Sequence, residues 1–314
     1  MALGVVMADR VLAGVELGGT KCVCVLATSN GEILAQERVE TAMPDATLPQ
    51  IQAILRNWFD TRRDIAALGI ATFGPVDVDR CSPRWGHIGQ TPKPGWSGVG
   101  VAQELSAGLG VPFALDTDVN GAALAEMRWG AAAGLDDFAY VTVGTGVGVG
   151  LVVGGRPIRG FGHAELGHMR VARVPGDNWP GSCPYHGDCV EGLAAGPAII
   201  QRSGKRASLI APDDSVWDLV GHAIAQMLHN LVLTATPRRI LLGGGVTTAQ
   251  PQLFPIIRRE LQASLNGYVS SHELDRIEDY IAPPGLGELA GPLGPIALAA
   301  AVAGQQTPRA AALA

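Results

Sequence analysis

Short apolar runs separated by glycine-rich turns open the sequence and predict a β-meander. Residues 11–17 have the pattern of a first strand, Gly18-Gly19-Thr20 forms a turn, and residues 22–27 alternate as a second strand. A second turn at residues 29–31 leads into a third strand over residues 32–39.

The same plan returns from Phe138 onwards. Residues 139–143 and 147–153 are predicted strands joined by the turn Gly144-Thr145-Gly146, and residues 156–158 begin a third strand. Two meanders with matching turns suggest a duplicated domain with a cleft between the two copies.

Between and after the meanders, patterns of helical period alternate with short apolar strands. The predicted helices cover residues 47–60, 99–109, 121–133, 216–236 and 251–265, and the further strands cover residues 65–72, 113–116 and 240–242. This alternation favours an α/β architecture in which helices pack on sheets. Proline, glycine and cysteine are concentrated in residues 170–191, which are predicted to form a loop that is held together by its own residues.

Composition excludes several classes of protein. The 314 residues are 47% hydrophobic and 17% charged, and 23 basic against 29 acidic residues give a formal charge of −6. We expect no nucleic-acid partner, because no basic stripe is available to bind a phosphate backbone. We also expect no membrane span and no export signal. The odd number of cysteines, five, suits a reducing cytoplasm.

Both meander turns are candidate phosphate sites. In Gly18-Gly19-Thr20-Lys21 the glycines let backbone N–H groups approach an anion, while Thr20 and Lys21 add a hydroxyl group and a charge. Gly144-Thr145-Gly146 leads into an alternating strand and not a helix, so it is no dinucleotide fingerprint. An ordinary hairpin turn and a glycine-bearing strand are the respective alternatives. The match between the two turns favours phosphate binding from two sides.

A third glycine cluster, Gly243-Gly244-Gly245, follows a predicted strand and precedes a predicted helix near Pro251. Ligands of α/β sheets bind beyond the carboxyl ends of strands. Gly244 and Gly245 are therefore candidates for the floor of a nucleotide site, and a flexible loop is the alternative.

Asp118 is a candidate general base. It lies in Asp116-Thr117-Asp118-Val119-Asn120, between a predicted strand and a predicted helix. A carboxylate there could take the proton of an alcohol that attacks phosphorus, with Mg²⁺ neutralising the phosphates. Alternatively, Asp118 or Asn120 caps the helix.

The sharpest local motif is Cys183-x2-His186-x2-Cys189 with His168 upstream. Two thiolates and two imidazoles complete a closed tetrahedral zinc site, and the thiolate charges cancel those of Zn²⁺. A closed site favours a structural role over hydrolysis. The alternative is a set of reduced cysteines and surface histidines.

Two acidic residues bracket this motif. Glu165 precedes His168 by three residues, and Glu191 follows Cys189 by two. They are candidates to face a polyhydroxylated ligand held by the metal loop, and solvated surface carboxylates are the ordinary alternative.

Together these motifs resemble the ROK family of sugar kinases (repressors, open reading frames, kinases), most closely its bacterial fructokinase-like branch. The resemblance runs from about Leu12 to Ala303. It is carried by residues 16–21, Phe73-Gly74-Pro75-Val76-Asp77, Thr91-Pro92-Lys93-Pro94-Gly95-Trp96, residues 116–120, residues 144–150, Glu165-Leu166-Gly167-His168, residues 183–192 and residues 243–246.

The resemblance implies an actin-like ATPase fold of two ribonuclease-H-like domains that close over ATP and a sugar. The expected first domain spans residues 10–120, completed by a returning helix at about 291–303 that would limit the hinge. The expected second domain spans residues 121–290 and carries the zinc loop, residues 168–191.

The resemblance also implies roles for individual residues, with ATP, Mg²⁺ and structural Zn²⁺ as cofactors and a homodimer as the assembly. Asp118 matches the family's catalytic base. The positions that match sugar contacts are Gly74, Pro75, Glu165, His168 and Glu191, and His168 also matches a zinc ligand with Cys183, His186 and Cys189. The positions that match nucleotide contacts are Gly18, Gly19, Thr20, Lys21, Gly144, Thr145, Gly146, Gly244 and Gly245.

Departures from the broad family pattern favour fructose over glucose. Thr117 replaces an asparagine that many glucose-specific members have, and the Cys-x2-His-x2-Cys loop is similar to that of the fructokinase-like branch. Glu16 stands where many members have aspartate, at a possible water-mediated Mg²⁺ contact. We predict a kinase that phosphorylates the 6-hydroxyl of D-fructose. Glucose, mannose or an N-acetylhexosamine are alternative substrates, and a sugar-sensing repressor or sugar-binding scaffold is the alternative outside catalysis.

Overall fold

The computed structural model describes residues 10–304, which divide into two compact units. Unit 1 contains the described residues up to Trp129 and those from Glu288 onwards, and unit 2 is Gly130–Gly287. Each unit has its own five-stranded sheet and its own apolar core.

The strands and helices are numbered in chain order. The strands are β1 (Val11–Leu17), β2 (Lys21–Thr28), β3 (Ile33–Glu40), β4 (Ile65–Thr72), β5 (Phe113–Thr117), β6 (Phe138–Val143), β7 (Val147–Val153), β8 (Arg156–Pro157), β9 (Ile240–Gly243) and β10 (Ile281–Ala282). The helices are α1 (Pro44–Thr61), α2 (Val101–Ser106), α3 (Asp118–Trp129), α4 (Val190–Ala194), α5 (Gly196–Ser203), α6 (Val216–Ala235), α7 (Gly245–Ala249), α8 (Leu253–Leu265), α9 (His272–Asp275), α10 (Ile277–Tyr280) and α11 (Ala290–Val302).

The two sheets have the same plan. In unit 1 the order is β3-β2-β1-β4-β5, and in unit 2 it is β8-β7-β6-β9-β10. In each, the first three strands form an antiparallel meander, and the last two run parallel to the strand that starts it. Three parallel strands therefore end at one edge of each sheet, which is where α/β sheets bind ligands.

Helices with apolar surfaces cover the sheet of unit 1. In α1 the buried side chains Leu48, Ile51, Leu55 and Trp58 recur every three or four residues, the spacing of one helix face. α11 has no charged residue and lies directly on the strands. A Cβ atom at Gly69 of β4 would overlap the carbonyl oxygen of Pro295, so this close contact requires glycine.

In unit 2 the long helix α6 and helix α8 pack together against the core. The buried residues of α8, namely Leu253, Ile257, Leu261 and Leu265, again fall on one face. Trp217 of α6 is fully buried, and its indole Nε1–H donates to the carbonyl of Ala211 at 2.8 Å.

The structure corrects several predicted boundaries. The domain boundary expected after residue 120 is wrong because α3 belongs whole to unit 1, where it packs against α11. The second boundary falls before Glu288 and not at residue 290. The helix expected near Pro251 is preceded by α7, which begins within the glycine cluster at Gly245. Within residues 10–304, no helix is both long enough and apolar enough to span a lipid bilayer.

Candidate active site

Three candidate site segments of unit 1 lie at one edge of its sheet. The turn after β1, the Gly74-Pro75 segment after β4, and Asp118 after β5 each follow the carboxyl end of a parallel strand. Leu17 pairs with Thr72, and Thr72 pairs with Thr117, so these three ends are level with one another. The topology thus brings the predicted phosphate turn, sugar segment and base together.

Asp118 is the first residue of α3, but Thr117 supplies the cap of that helix. The Thr117 hydroxyl accepts from the backbone N–H of Asn120 at 3.2 Å. The Asn120 amide donates to Asp116 Oδ1 at 2.8 Å, which holds the other side chain of the motif in the fold. Capping by Asp118 or Asn120, the alternative left open by the sequence, is therefore wrong. The half-buried Asp118 carboxylate accepts from the N–H of Val119 at 2.9 Å.

The carbonyl groups of the β1–β2 turn are bound by the protein itself. The Thr41 hydroxyl donates to Gly18 O at 2.9 Å, Lys93 Nζ donates to Gly19 O at 2.7 Å, and the Thr41 N–H donates to Thr20 O at 3.1 Å. In a trans peptide the carbonyl and the following N–H point in opposite directions. The N–H groups of Gly19 and Thr20 consequently point away from Thr41 and Lys93, an arrangement that suits an anion.

Opposite charges are concentrated around this turn. Burial raises the pKa of Glu16 to about 7, an effect that the Asp118 carboxylate increases and Lys21 opposes. Burial also lowers the pKa of Lys93, which Asp118 and Cys22 oppose. Two carboxylates and two ammonium groups thus act on one another at the strand ends of unit 1.

Lys93 and Thr41 are site residues that the sequence reasoning missed. A signal for Lys93 was available, because it is one of three lysines in the chain and lies in the motif Thr91-Pro92-Lys93-Pro94-Gly95-Trp96. Thr41 has no comparable signal, since it reaches the turn only through the pairing of β2 with β3.

In unit 2 the corresponding turn, Gly144-Thr145-Gly146, follows β6. Gly144 N–H donates to Gly146 O at 2.8 Å, and Gly144 O accepts from the N–H of Gly196 at 2.8 Å. The Glu191 carboxylate accepts from the N–H of Val147 at 3.1 Å. This turn is thus held by α4 and α5, the helices that begin after the cysteine motif.

The third glycine cluster lies beside that turn. Thr142 of β6 pairs with Gly243 of β9, so the two strands end together. Gly244 has φ +97°, and a Cβ atom there would lie 2.5 Å from the backbone N and O of Val143. Only glycine fits this position without displacing β6.

The acidic residues that bracket the cysteine motif also reach this edge of unit 2. His168 Nε2 lies 4.0 Å from Glu191 Oε1. Partial burial raises the pKa of Glu165, while His168 opposes this and Glu191 adds to it. A Cβ atom at Gly167 would overlap Val147 O, so the segment carrying His168 packs against the start of β7. The three predicted sugar-binding residues of unit 2 therefore adjoin its glycine turn.

The four predicted metal ligands converge. Their ligand atoms all lie within 4.8 Å of one another. His168 Nδ1 is 3.3 Å from His186 Nδ1, 3.7 Å from Cys183 Sγ and 3.6 Å from Cys189 Sγ. A tetrahedron with Zn–N of about 2.0 Å and Zn–S of about 2.3 Å has N–N and N–S edges of about 3.3 and 3.5 Å. The donor set and its spacing fit zinc.

The orientation of His168 joins the metal site to the acidic residues. Its Nδ1 faces the other three ligands and its Nε2 faces Glu191. A metal on Nδ1 would leave the proton on Nε2, because each ring nitrogen fixes the state of the other. His168 is therefore suited to hold a metal and donate a hydrogen bond at once.

Ionic contacts hold the rest of the metal loop. Asp177 accepts from Arg173 at 2.8 Å and from Arg202 of α5 at 2.5 Å. Arg173 also donates to Asp188 at 3.2 Å, directly before Cys189. Burial tends to raise the pKa of Asp177, but the two guanidinium groups outweigh it and bring the pKa to about 2.

Two sheets of one plan, each with glycine turns at its strand ends, and the Asp118 carboxylate at the strand ends of unit 1 define an α/β protein with paired candidate phosphate sites. The ROK family pattern matches residues 12–302, and the chain belongs to the ROK family. A fructokinase of Pediococcus pentosaceus is 41% identical over 290 residues, which cover 92% of this chain and 98% of that protein. A fructokinase of Zymomonas mobilis is 41% identical over 298 residues, 93% and 98% of the two chains.

A solved structure gives a similar result for the fold. The ROK family glucokinase of Streptomyces griseus, in complex with glucose and AMPPNP, is 26% identical to this chain, with a TM-score of 0.73. The match covers 92% of this chain and 99% of that one.

Proposed function

We propose that the chain is an ATP-dependent fructokinase, which transfers the γ-phosphoryl group of ATP to the 6-hydroxyl of D-fructose. The observation that carries this proposal is the shared sheet edge in unit 1, where Asp118 adjoins a turn whose N–H groups suit an anion. Membership of the ROK family and the two fructokinase relatives at 41% identity support the substrate.

Asp118 acts as the general base in this proposal. Its carboxylate accepts the proton of the 6-hydroxyl while that oxygen bonds to the γ-phosphorus. The bond between the γ-phosphorus and the oxygen bridging to the β-phosphorus breaks, and ADP leaves with that electron pair. The protein contributes mainly by position and charge, because phosphoryl transfer needs little covalent chemistry from it.

The nucleotide occupies the glycine turns. Gly18, Gly19, Thr20 and Lys21 contact phosphate in unit 1, and Gly144, Thr145 and Gly146 contact phosphate in unit 2, while Gly244 and Gly245 adjoin the adenosine. Backbone N–H groups at strand ends support these roles. One triphosphate shared by both turns, in a cleft between two ribonuclease-H-like domains, is part of the proposal.

The sugar is held by hydrogen bonds to carboxylate acceptors and from an imidazole donor. Glu165 and Glu191 accept from sugar hydroxyls, His168 donates through Nε2, and Gly74 with Pro75 lines the unit 1 side. The 4.0 Å gap between His168 Nε2 and Glu191 Oε1 is too long for a good hydrogen bond and leaves both atoms available to a ligand.

Two cations are part of the proposal. Zinc bound by His168, Cys183, His186 and Cys189 would fix the loop that carries the sugar contacts, and it takes no part in the chemistry. Mg²⁺ would neutralise the phosphates. Glu16 supports its location, because a carboxyl group buried beside Asp118 is stabilised by a nearby cation. We place the enzyme in the cytoplasm, where thiols stay reduced. A homodimer and the lack of a nucleic-acid partner stay predictions from the sequence.

A panel of sugars with ATP tests the function directly. We expect fructose to give the highest kcat/KM, with the product phosphorylated at the 6-hydroxyl, as read by coupled ADP release and by NMR of the product. Glucose, mannose and N-acetylhexosamines are the competitors, and Asp118→Asn is the matched inactive control. A higher kcat/KM for another sugar would contradict the assignment to fructose, and sugar binding without turnover would contradict catalysis.

A further inference from the structure

Lys93 is the charged residue that the structure adds to the site of unit 1. Resting on the proposed function, we propose that Lys93 is a positioning residue for phosphoryl transfer, which orients the N–H of Thr20 toward a phosphate group by holding the carbonyl of Gly19.

The contact of Lys93 fixes the geometry of one peptide group. Lys93 Nζ donates to Gly19 O at 2.7 Å. Because the peptide is planar and trans, this contact fixes the direction of the Thr20 N–H on the opposite side. Glycine at position 19 would otherwise let the peptide rotate and turn its carbonyl dipole toward the anion. A charged donor makes a stronger hydrogen bond than a neutral one and therefore fixes the peptide more firmly.

Lys93 is itself held in place. Its ammonium group lies 5.0 Å from the centroid of the Phe73 ring, within cation–π distance. The Phe73 ring is in turn packed edge-to-face on Trp96 at 5.3 Å, and Trp96 Nε1–H donates to Ala42 O at 2.8 Å. Pro92 and Pro94 restrict the backbone on both sides of the lysine. Little conformational freedom remains to be lost when the turn binds a ligand.

Thr41 fixes the neighbouring peptide group in the same way. Its hydroxyl donates to Gly18 O at 2.9 Å and so directs the Gly19 N–H to the same side as the Thr20 N–H. Two successive N–H groups with a common direction form an anion-binding concavity. Lys93 differs from Thr41 because it also places a positive charge next to this concavity.

Nucleotide binding without sugar tests this proposal separately from turnover. Wild type, Lys93→Met, Lys93→Arg and Lys205→Met are titrated with AMPPNP and with adenosine by calorimetry. Methionine keeps most of the length of the side chain and removes its charge and donors, and Lys205 is an exposed lysine that serves as control. We expect Lys93→Met to weaken AMPPNP binding about 10- to 100-fold and to leave adenosine binding unchanged.

The other variants sharpen the outcome. Arginine at position 93 should restore part of the AMPPNP affinity because it retains charge and donors, and Lys205→Met should match wild type. Thr41→Val, which removes the hydroxyl but keeps the backbone contact, should weaken AMPPNP binding about 3- to 10-fold. In turnover, Lys93→Met should raise KM for ATP more than KM for fructose.

Unchanged AMPPNP affinity in Lys93→Met would overturn the proposal. Equal losses for AMPPNP and adenosine, accompanied by a lower Tm, would also overturn it, since they would indicate a purely structural role. If wild type binds AMPPNP but phosphorylates no sugar, the proposed function fails while the binding comparison still decides the role of Lys93.

Discussion

The two glycine turns occupy the same place in sheets of the same plan, yet their surroundings differ. In unit 1, donors from Thr41 and Lys93 bind the turn carbonyls, and the turn adjoins Asp118. In unit 2, a carboxylate from Glu191 binds the N–H that follows the turn. The side chains that contact the unit 1 turn are therefore donors, and the side chain that contacts the unit 2 turn is an acceptor.

This difference teaches that topology fixes where a ligand binds, whereas nearby side chains determine what each half contributes. The positive charge of Lys93 beside the unit 1 turn suits a phosphate group. The carboxylates and imidazole beside the unit 2 turn suit hydroxyl groups, since they can accept and donate hydrogen bonds. Under the proposed function, unit 1 would carry the chemistry and unit 2 would select the sugar.

The largest expected effect is on the chemistry of unit 1. Asp118→Asn should lower kcat about 10²- to 10⁴-fold, because the amide cannot accept the proton of the hydroxyl. Affinities for fructose and AMPPNP, measured by calorimetry, should change little. Asp60→Asn, an exposed acid of the same unit, is the control. Near-wild-type turnover in the Asp118 variant would remove the chemical distinction between the units.

Loss of the metal should disturb the loop of unit 2 and weaken the binding of sugar. We predict one zinc per chain, measured by plasma mass spectrometry, and its loss in Cys183→Ser. Fructose affinity should then fall about 10-fold or more, because His168 and the loop are no longer fixed. Cys81→Ser changes an exposed cysteine outside the cluster and should retain both zinc and affinity. A zinc-free variant that binds fructose normally would show that unit 2 selects the sugar without the metal.

Gly167→Ala probes the packing between the segment that carries His168 and the start of β7. The added methyl group would overlap Val147 O and should lower the free energy of unfolding by about 1–3 kcal/mol. Gly160→Ala is the matched control, because nothing lies within 4 Å of its Cβ position, and it should stay within about 0.5 kcal/mol. Equal stability of the two variants in urea unfolding would show that this packing is loose.

The smallest expected effect concerns Glu16, a partly buried acid of unit 1. Since the pKa of Glu16 is raised to about 7 in the fold from an ordinary value of 4.5, the folded state binds its proton more tightly than the unfolded state. Stability from this group is present below pH 4.5 and is lost as the pH rises through 7. Glu16→Gln should therefore gain Tm relative to wild type between pH 5 and pH 8, measured without nucleotide or metal. Exposed Glu32→Gln is the control, and an equal pH profile for both variants would contradict the burial of Glu16.

The sequence predicted regular elements well where their pattern is local. Residues 11–17 and 65–72 were predicted as strands and match β1 and β4 to the residue, because apolar runs bounded by polar or glycine positions mark buried strands. The start of α3 was placed at residue 121 and lies at Asp118, because Thr117 and not a later residue caps it. α4, α5, α9 and α10 span eight residues or fewer and are too short to show a helical period.

In the candidate site, too, groups of residues close together in the sequence could be predicted, whereas contacts between distant residues could not. The cluster of His168, Cys183, His186 and Cys189 was predicted because three of its members lie within seven residues. The contact of Glu191 with Val147 and that of Lys93 with Gly19 join residues 44 and 74 positions apart. No spacing pattern encodes such contacts, since they arise only when the sheets are assembled.

The position of α11 has a consequence for the order in which the chain can fold during synthesis. Unit 1 is closed by residues 290–302, which the ribosome adds only after all of unit 2 has been made. During synthesis, the surface around Gly69 in the first sheet therefore stays uncovered until α11 has been made. Unit 2 is encoded by one continuous segment, so its sheet can form before that point. Unit 2, the middle of the chain, would then complete its fold first, and unit 1 would complete its fold last.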